Sequence, residues 1–249
     1  MQRNPKDKVV VVTGGASGIG YEITDNFLKN GAKTLIVLDI NETVGVKAVK
    51  TLNETYGEGK AIFEKCDVTT DLEKVSSKIF QKYQVDVLVN NAGIMNENEL
   101  RKTLEINCIA VVEWGMKFWE HMRKDKGGRG GTIYNVASIY GYEYNPWVVY
   151  YKTSKHAVLG FTRSLGHPYN YGKSGVRVIA ICPGFTATPI LAGNVWELHK
   201  EDFKKHGASQ IIQKPETVGK AAVEIFMVAD SGTAYVSKDY KPIELAPFC

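Results

Sequence analysis

A tyrosine and a lysine stand four residues apart in the run WVVYYKTSK at 147–155. Side chains four apart share one face of a helix, so Tyr151 and Lys155 can face the same cleft, while Tyr150 points about 100° away. A tyrosine hydroxyl has an ordinary pKa of about 10, and a neighbouring ammonium lowers that pKa. We therefore predict that Tyr151 is an acid/base group assisted by Lys155 and that Tyr150 is replaceable. Taken singly, Tyr151 would be a core aromatic and Lys155 a solvated lysine.

A glycine-rich run, TGGASGIG at 13–20, lies between a short β-branched strand and the start of a helix. Glycines in that context let the backbone approach a pyrophosphate, and the helix N-terminus supplies free N–H groups. Asp39 ends the next predicted strand, where a carboxylate accepts hydrogen bonds from an adenosine ribose and repels a 2′-phosphate. Neither Ser17 nor Ile40 or Asn41 is basic, so the pattern favours NAD over NADP. The alternative is that Asp39 caps the following helix.

Buried strands and amphipathic helices alternate along the chain. Continuous apolar strands separated by helices predict a doubly wound parallel sheet of about seven strands with helices on both faces, and we read residues 1–249 as one domain. The patterns predict strands at 8–14, 33–39, 60–68, 85–93, 130–138, 174–184 and 232–239, and helices at 19–31, 41–56, 71–83, 99–124, 150–165 and 215–229.

Three segments depart from this alternation. Residues 186–213 follow the sixth strand with no clean element, and long insertions on a compact domain are often lids over a binding site. Pro168 is expected to end or kink the helix that carries Tyr151. The tail 240–249 has two prolines and no periodicity, so it is either disordered or folded over a pocket.

Composition excludes several classes of function. Of 249 residues, 44% are hydrophobic, which permits a sizeable core. The net charge is +4, and the basic residues form no cluster that would indicate binding to nucleic acid or to a membrane. No apolar stretch approaches the length of a membrane span, and no signal-peptide pattern is present, so we expect a cytoplasmic protein. The scattered cysteines predict neither a disulfide framework nor a metal site; they are Cys66, Cys108, Cys182 and Cys249.

Several motifs stand in a fixed order along the chain: TGGASGIG at 13–20, Asp39, CDV at 66–68, NNAG at 90–93, Asn107, Ser138, Tyr151 with Lys155, and PGFTAT at 183–188. Together these motifs resemble the short-chain dehydrogenase/reductase family over residues 8 to about 190. Within that family the chain is most similar to the 15-hydroxyprostaglandin dehydrogenase and insect-type alcohol dehydrogenase groups, through 90–108, 154–164 and 180–191.

The resemblance implies a Rossmann fold and hydride transfer between a nicotinamide and the carbon of an alcohol or ketone. Tyr151 would exchange the alcohol proton, with Lys155 and the oxidised nicotinamide lowering its pKa. Ser138, at the end of the fifth strand, would hydrogen-bond the substrate oxygen. Asn107 marks a local helix distortion in the family and helps to hold a proton-relaying water, although here it could simply be a polar residue on a helix face.

The implied NAD contacts come from the glycine loop and the ends of the strands. They are Gly14, Ser17, Gly18, Ile19, Gly20, Asp39, Ile40, Asp67, Val68, Asn91, Ala92, Gly93, Tyr151, Lys155, Pro183, Gly184, Phe185, Thr186 and Thr188.

The expected substrate pocket is apolar and aromatic, which predicts a lipophilic secondary alcohol or ketone rather than a sugar or hydroxy acid. The prostaglandin enzymes carry a glutamine shortly before the tyrosine, where this chain has Trp147-Val148-Val149, so prostaglandin itself is disfavoured. The candidate pocket residues are Ser138, Ile139, Tyr140, Tyr144, Trp147, Val148, Phe185, Leu191 and Trp196.

The predicted helix 99–124 carries more apolar residues than one sheet face needs. With the helix 150–165 it could form the interface of a homodimer or homotetramer, as is common in the family; the simpler explanation is burial against the sheet. Two other functions stay open, namely an NADP-dependent carbonyl reductase and a dinucleotide-binding sensor or storage-like protein with little turnover.

Overall fold

The computed structural model describes residues 3–247, and one sheet of eight strands runs through them. The valine-rich, β-branched runs predicted as strands form its centre, since such residues pack well on a buried pleated surface. The strands are β1 Val9–Thr13, β2 Thr34–Asp39, β3 Ala61–Lys65, β4 Val87–Asn90, β5 Gly131–Val136, β6 Val176–Pro183, β7 Ala234–Ser237 and β8 Glu244–Leu245.

The strand order is β3-β2-β1-β4-β5-β6-β7-β8, and every neighbouring pair is parallel except β7 with β8. The order reverses direction between β1 and β4. In an open parallel sheet, such a switch point leaves a crevice outside the carboxyl ends of the strands, where ligands bind. The predicted α/β Rossmann architecture with about seven strands is therefore confirmed, with one short antiparallel edge strand in addition.

Helices cover both faces of the sheet. Alternate residues of β1 point to opposite layers, because successive side chains of a strand face opposite sides. Val10 and Val12 pack with Phe27 and Phe226, whose rings meet edge to face at 5.2 Å, while Val11 packs on the opposite side. The helices are α1 Gly18–Lys29, α2 Glu42–Tyr56, α3 Leu72–Lys82, α4 Leu100–Leu104, α5 Ala110–Met122, α6 Val149–Leu165, α7 Pro168–Ser174, α8 Lys200–Ala208 and α9 Pro215–Val228.

The structure revises the sequence-based assignments of two internal segments. The predicted helix 99–124 is α4, a π-helical turn at Glu105–Ile109 and then α5. The insertion 186–213 is ordered, with 3-10 turns at Pro189–Ala192 and Glu197–His199 followed by α8.

The tail 240–249, which was expected to be either disordered or folded over a pocket, instead contributes β8, which pairs with the edge of β7 through backbone hydrogen bonds. Its last residues, Phe248 and Cys249, lie outside the described residues. Pro168 acts as predicted, because α6 ends at Leu165 and the proline opens α7. Within residues 3–247, no helix has the length and apolarity that crossing a membrane requires.

Candidate active site

The glycine loop is held tightly against the end of β4. Gly14 has φ +60°, and a Cβ atom there would lie 2.9 Å from the Cα atom of Ala92. The Asn91 side chain donates hydrogen bonds to the carbonyl oxygens of Thr13 and Gly14, at 3.0 and 2.9 Å. A Cβ atom at Gly20 would lie 2.1 Å from the Gly14 oxygen, so this glycine permits close packing. At Gly14 and Gly18 the loop therefore presents backbone without a side chain near the N-terminus of α1.

Asp39 closes the outer end of this loop. Its Oδ2 atom accepts a hydrogen bond from the Ala16 N–H at 3.2 Å and its Oδ1 atom from the Asn41 N–H at 3.0 Å. Asn41, and not Asp39, caps α2, since the Asn41 side chain accepts a hydrogen bond from the Val44 N–H. The alternative role of Asp39 as the helix cap is therefore wrong.

A cavity of about 830 Å³ opens at the carboxyl ends of the strands. Its wall combines the glycine loop, the ends of β2, β4, β5 and β6, and the first part of the insertion 186–213. This is the crevice that the strand reversal between β1 and β4 creates.

Tyr151 and Lys155 are one turn apart on α6, and both are buried on the cavity wall. The Lys155 Nζ atom lies 5.5 Å from the centre of the Tyr151 ring and donates a hydrogen bond to the Val136 carbonyl oxygen at 2.9 Å. Ser138 follows β5 and lines the same cavity, with its Oγ atom accepting a hydrogen bond from the Tyr140 N–H at 3.1 Å. The fold thus brings the three side chains predicted from the motifs together.

Burial shifts the pKa values of both Tyr151 and Lys155. It raises the pKa of Tyr151 to about 12, against the opposing effect of a side-chain hydrogen bond with Ser138. It lowers the pKa of Lys155 to about 8, because the ammonium loses its hydration. The expected lowering of the Tyr151 pKa involves both Lys155 and the oxidised nicotinamide, so it stays a prediction. In the protein alone, burial raises the pKa of Tyr151, and Lys155 remains mainly protonated at neutral pH because its pKa is still about 8.

Asn107 lies in the π-helical turn between α4 and α5, so the expected helix distortion is present. Its side chain is buried and pairs with the backbone of Ile94, accepting from the N–H and donating to the carbonyl oxygen, both at 2.8 Å. It also donates to the Ser154 Oγ atom at 3.2 Å. Asn107 therefore braces α6 against the segment after β4 and does not itself line the cavity.

The structure collects nearly all of the predicted cofactor contacts on one surface. Gly20 is the exception, because it packs inside α1 away from the cavity. The predicted cofactor contacts that line the cavity are Gly14, Ser17, Gly18, Ile19, Asp39, Ile40, Asp67, Val68, Asn91, Ala92, Gly93, Tyr151, Lys155, Pro183, Gly184, Phe185, Thr186 and Thr188.

The predicted substrate residues divide into two groups. Five of them line the cavity, and these are Ser138, Ile139, Tyr140, Phe185 and Leu191. The aromatic rings among them pack edge to face, with Tyr140 at 6.4 Å from Tyr151 and 5.9 Å from Phe185 between ring centres.

The other four predicted pocket residues lie elsewhere. Tyr144 is fully exposed, and Val148 is buried at the start of α6. Trp147 packs against His199 and His206 of the insertion, with ring centres 5.6 and 6.2 Å apart. The Trp196 indole donates a hydrogen bond to a backbone carbonyl oxygen and faces Tyr150. These aromatic side chains connect α6 to the insertion instead of facing the cavity.

Part of the cavity wall consists of residues that were not predicted from the sequence. Some of these residues are neighbours of predicted ones. The apolar run PILA at 189–192, which contains the predicted Leu191, could have indicated its neighbours as cavity residues. The others come from distant segments that no local pattern connects. The missed residues are Cys66, Thr69, Ile94, Met95, Lys102, Glu105, Ile106, Val136, Ala137, Pro189, Ile190, Ala192, Gly193 and Phe203.

Comparison with known proteins identifies the family that this fold and site define. The model of the short chain dehydrogenase family matches residues 8–197. The chain therefore belongs to the short-chain dehydrogenase family of oxidoreductases.

Individual relatives agree with that assignment. Alcohol dehydrogenase 1 of Ceratitis cosyra is 36% identical over 92% of this chain and 91% of its own. The NAD(+) 15-hydroxyprostaglandin dehydrogenase of Rattus norvegicus is 42% identical over 74% of this chain and 70% of its own. A solved structure from Beutenbergia cavernae, assigned as an NAD(P)-dependent gluconate 5-dehydrogenase with bound NADP, superposes with a TM-score of 0.76 at 25% identity, covering 96% of this chain and 98% of that one.

Proposed function

We propose that this protein is an NAD-dependent dehydrogenase that interconverts a lipophilic secondary alcohol and its ketone. One observation carries the proposal: Ser138, Tyr151 and Lys155 share a single cavity with the glycine loop and Asp39. A dinucleotide fits the loop, since its backbone N–H groups and the α1 N-terminus suit a pyrophosphate. Asp39 suits the adenosine ribose.

Ser138 and Tyr151 have different roles in the proposed reaction. Ser138 donates a hydrogen bond to the substrate oxygen and steadies the charge that develops on it. Tyr151 takes the hydroxyl proton as the carbon–hydrogen bond breaks, and returns it in the reverse direction. The nicotinamide, when bound, supplies the hydride acceptor. Because burial raises the pKa of Tyr151 to about 12, the positive charges of Lys155 and of the oxidised ring are both needed to favour the phenolate.

NAD is favoured over NADP by the charges around Asp39. Among the described residues, Lys102 and Lys155 are the basic side chains on the cavity wall, and neither belongs to the segments around Asp39. Lys65 is the neighbour of Asp39 across the β2–β3 register, but its ammonium pairs with Glu42 at 3.2 Å. A 2′-phosphate would therefore meet a carboxylate without a free cation beside it.

The substrate end of the cavity supports a lipophilic alcohol. The side chains near Tyr151 are mainly aliphatic and aromatic, which binds hydrocarbon and leaves few partners for a polyol. They include Met95, Ile139, Tyr140, Phe185, Ile190, Leu191 and Phe203.

The test follows the absorbance of reduced nicotinamide as purified protein is mixed with each coenzyme and a panel of secondary alcohols. We expect growth with NAD, stronger for long-chain than for polyhydroxy alcohols, and none in Tyr151→Phe. Replacing Asp39 by serine should narrow the preference for NAD over NADP. Faster turnover with NADP, or activity confined to polyols, contradicts the proposal. Coenzyme binding by calorimetry without turnover would favour the low-turnover sensor or storage-like role.

A further inference from the structure

Glu97 is a buried carboxylate that the proposed chemistry does not use. It lies in the loop between β4 and α4, and only 1% of its surface is exposed. Its Oε2 atom accepts a hydrogen bond from the Tyr150 N–H at 2.8 Å, and its Oε1 atom accepts one from the Tyr151 N–H at 2.9 Å. Among residues 3–247, no cation forms an ion pair with it. A buried carboxylate is costly unless it accepts hydrogen bonds, so the two N–H groups of α6 are what stabilise Glu97 in this buried position.

The helix that receives these bonds lacks a cap of its own. Val148 precedes α6 with φ +48° and ψ +58°, a left-handed conformation that is rare for a β-branched residue, and its side chain has no polar atom. The first N–H groups of a helix need acceptors, which a Ser, Thr, Asp or Asn at the cap usually provides. Glu97 provides them from more than 50 residues away along the chain. Its negative charge also lies at the positive end of the helix dipole.

The backbone of Glu97 holds the insertion as well. Its N–H donates to the Asn194 carbonyl oxygen at 2.9 Å, and its carbonyl oxygen accepts the Trp196 indole N–H at 2.6 Å. The Asn194 N–H in turn donates to the Met95 carbonyl oxygen at 3.0 Å. Glu97 is therefore bonded to the first turn of α6 on one side and, on the other, to Asn194 and Trp196 of the insertion, next to the cavity-lining Gly193.

We propose that Glu97 is a positioning residue that fixes the first turn of α6, and with it Tyr151, against the insertion 186–213. The proposal rests on the proposed dehydrogenase function. Proton transfer requires the Tyr151 hydroxyl within hydrogen-bonding distance of the substrate oxygen, and small displacements of a catalytic group cost large factors in rate. Loss of the Glu97 carboxylate frees the two N–H groups and lets that turn move, while the glycine loop stays in place.

The kinetic test compares Glu97→Gln and Glu97→Asp with Glu99→Gln. Gln keeps the size but only one acceptor oxygen, and Asp keeps the charge but is one methylene shorter. Glu99 is the matched control, because its exposed carboxylate lies in the same segment and bonds Asn96 and Lys102 instead of α6. In both Glu97 variants we expect kcat to fall at least about tenfold, a larger primary deuterium isotope effect on kcat, and NAD affinity within about twofold of wild type. The Glu99 variant should match wild type.

Amide hydrogen exchange gives a readout that needs no turnover. In Glu97→Gln, the N–H groups of Tyr150 and Tyr151 and those of 193–196 should exchange faster together, while those of α1 stay unchanged. If wild type oxidises no alcohol, the proposed function falls and exchange alone decides the role of Glu97. Unchanged exchange, or wild-type kcat in both variants with only a lower melting temperature, overturns the proposal. Failure of both variants to fold, with Glu99→Gln folded, also overturns it, since Glu97 would then serve the fold alone.

Discussion

Burial shifts the pKa values of Tyr151 and Lys155 in opposite directions, so that at neutral pH Tyr151 is neutral while Lys155 is still mainly protonated. The pKa of the tyrosine rises to about 12 and that of the lysine falls to about 8. A further positive charge in the cavity would favour the phenolate of Tyr151, and under the proposed function the oxidised nicotinamide supplies that charge. We therefore expect the proton-accepting form of Tyr151 to become more populated when the oxidised coenzyme binds.

Replacement of Tyr151 and Tyr150 by phenylalanine distinguishes the two adjacent tyrosines. Tyr151→Phe should lower kcat by about 10²–10⁴-fold, because it removes the group that exchanges the proton. Tyr150 faces Trp196 of the insertion, at 5.4 Å between ring centres, and its loss should leave kcat within a few-fold of wild type. Steady-state rates of both variants at saturating NAD check this. An active Tyr151→Phe with an inactive Tyr150→Phe would show that the roles are reversed.

Stability as a function of pH tests the buried lysine. The pKa of Lys155 is about 8 in the folded protein against an ordinary value of 10.5, so between these values the unfolded chain binds more protons. The contribution of Lys155 to the free energy of unfolding should therefore rise with pH in this window, by about 1 kcal/mol per pH unit, and the cost of its buried charge is greatest below pH 8.

The matched variant for this measurement is Lys155→Met, which keeps the length without the charge. Denaturant unfolding at pH 8.0 and 9.5 should show a stability advantage of the variant that shrinks as the pH rises. Tyr151, whose ordinary pKa is 10.0, contributes little below pH 9.5. A stability advantage of Lys155→Met that stays constant or grows with pH would contradict the lowered pKa of Lys155.

The sequence predicted the catalytic side chains because their relation is short-ranged. Tyr151 and Lys155 are linked by one helical turn, and Ser138 ends a strand whose direction is known. The direction of an aromatic side chain in a loop has no such rule, and for that reason Tyr144 and Trp147 were placed wrongly in the pocket. Glu97 was missed because a glutamate in the polar run NENEL resembles any solvated residue, and its partners lie on a distant helix.

At the scale of elements, the insertion 186–213 gives the cavity much of its apolar wall and also packs on the start of α6. Its α8 was not predicted, since its mixed polar sequence has few apolar residues and its order comes from tertiary contacts such as Phe203 with the core. The π-helical turn was foreseen only through the family resemblance. The buried strands and the long helices were predictable because their apolar periodicity is strong.

Truncation of Phe203 tests whether the insertion selects the substrate. Phe203→Ala removes apolar surface from the cavity wall and should lower kcat/KM for long-chain alcohols about tenfold, equivalent to roughly 1–2 kcal/mol, with less effect on short ones. Leu198→Ala is the control, because Leu198 belongs to the same insertion but is 84% exposed. Equal losses for long and short alcohols, or the same loss in Leu198→Ala, would exclude this role.

For the molecule as a whole, the sheet positions the site, and the expected association of two or more copies depends on the apolar residues that the outer helices leave exposed. Several apolar residues that suggested an interface on α5, including Trp114 and Phe118, are buried against the protein's own sheet. Ile109 and Met116 stay exposed around α5, and Val149 does so on α6. The expected homodimer therefore depends on a smaller apolar surface than the sequence indicated.

Sedimentation velocity measures that association directly. We expect a dimer or tetramer in solution, weakened by Met116→Lys because a charge is costly to bury at an interface. Met227→Lys is the control, since Met227 has similar exposure on α9, away from these helices. A monomeric wild type rules out the interface, and equal dissociation by both variants would place it elsewhere.

Hydride transfer from a secondary alcohol to NAD beside Tyr151 is the central step of the proposed function, and isotope transfer measures that step most directly. A lipophilic secondary alcohol carrying deuterium on its carbinol carbon is incubated with NAD and the protein, and the reduced coenzyme is weighed by mass spectrometry. We expect one deuterium per reduced coenzyme with wild type and none above background with Tyr151→Phe. Unlabelled coenzyme across a panel of such alcohols, from a protein that binds NAD, would contradict it.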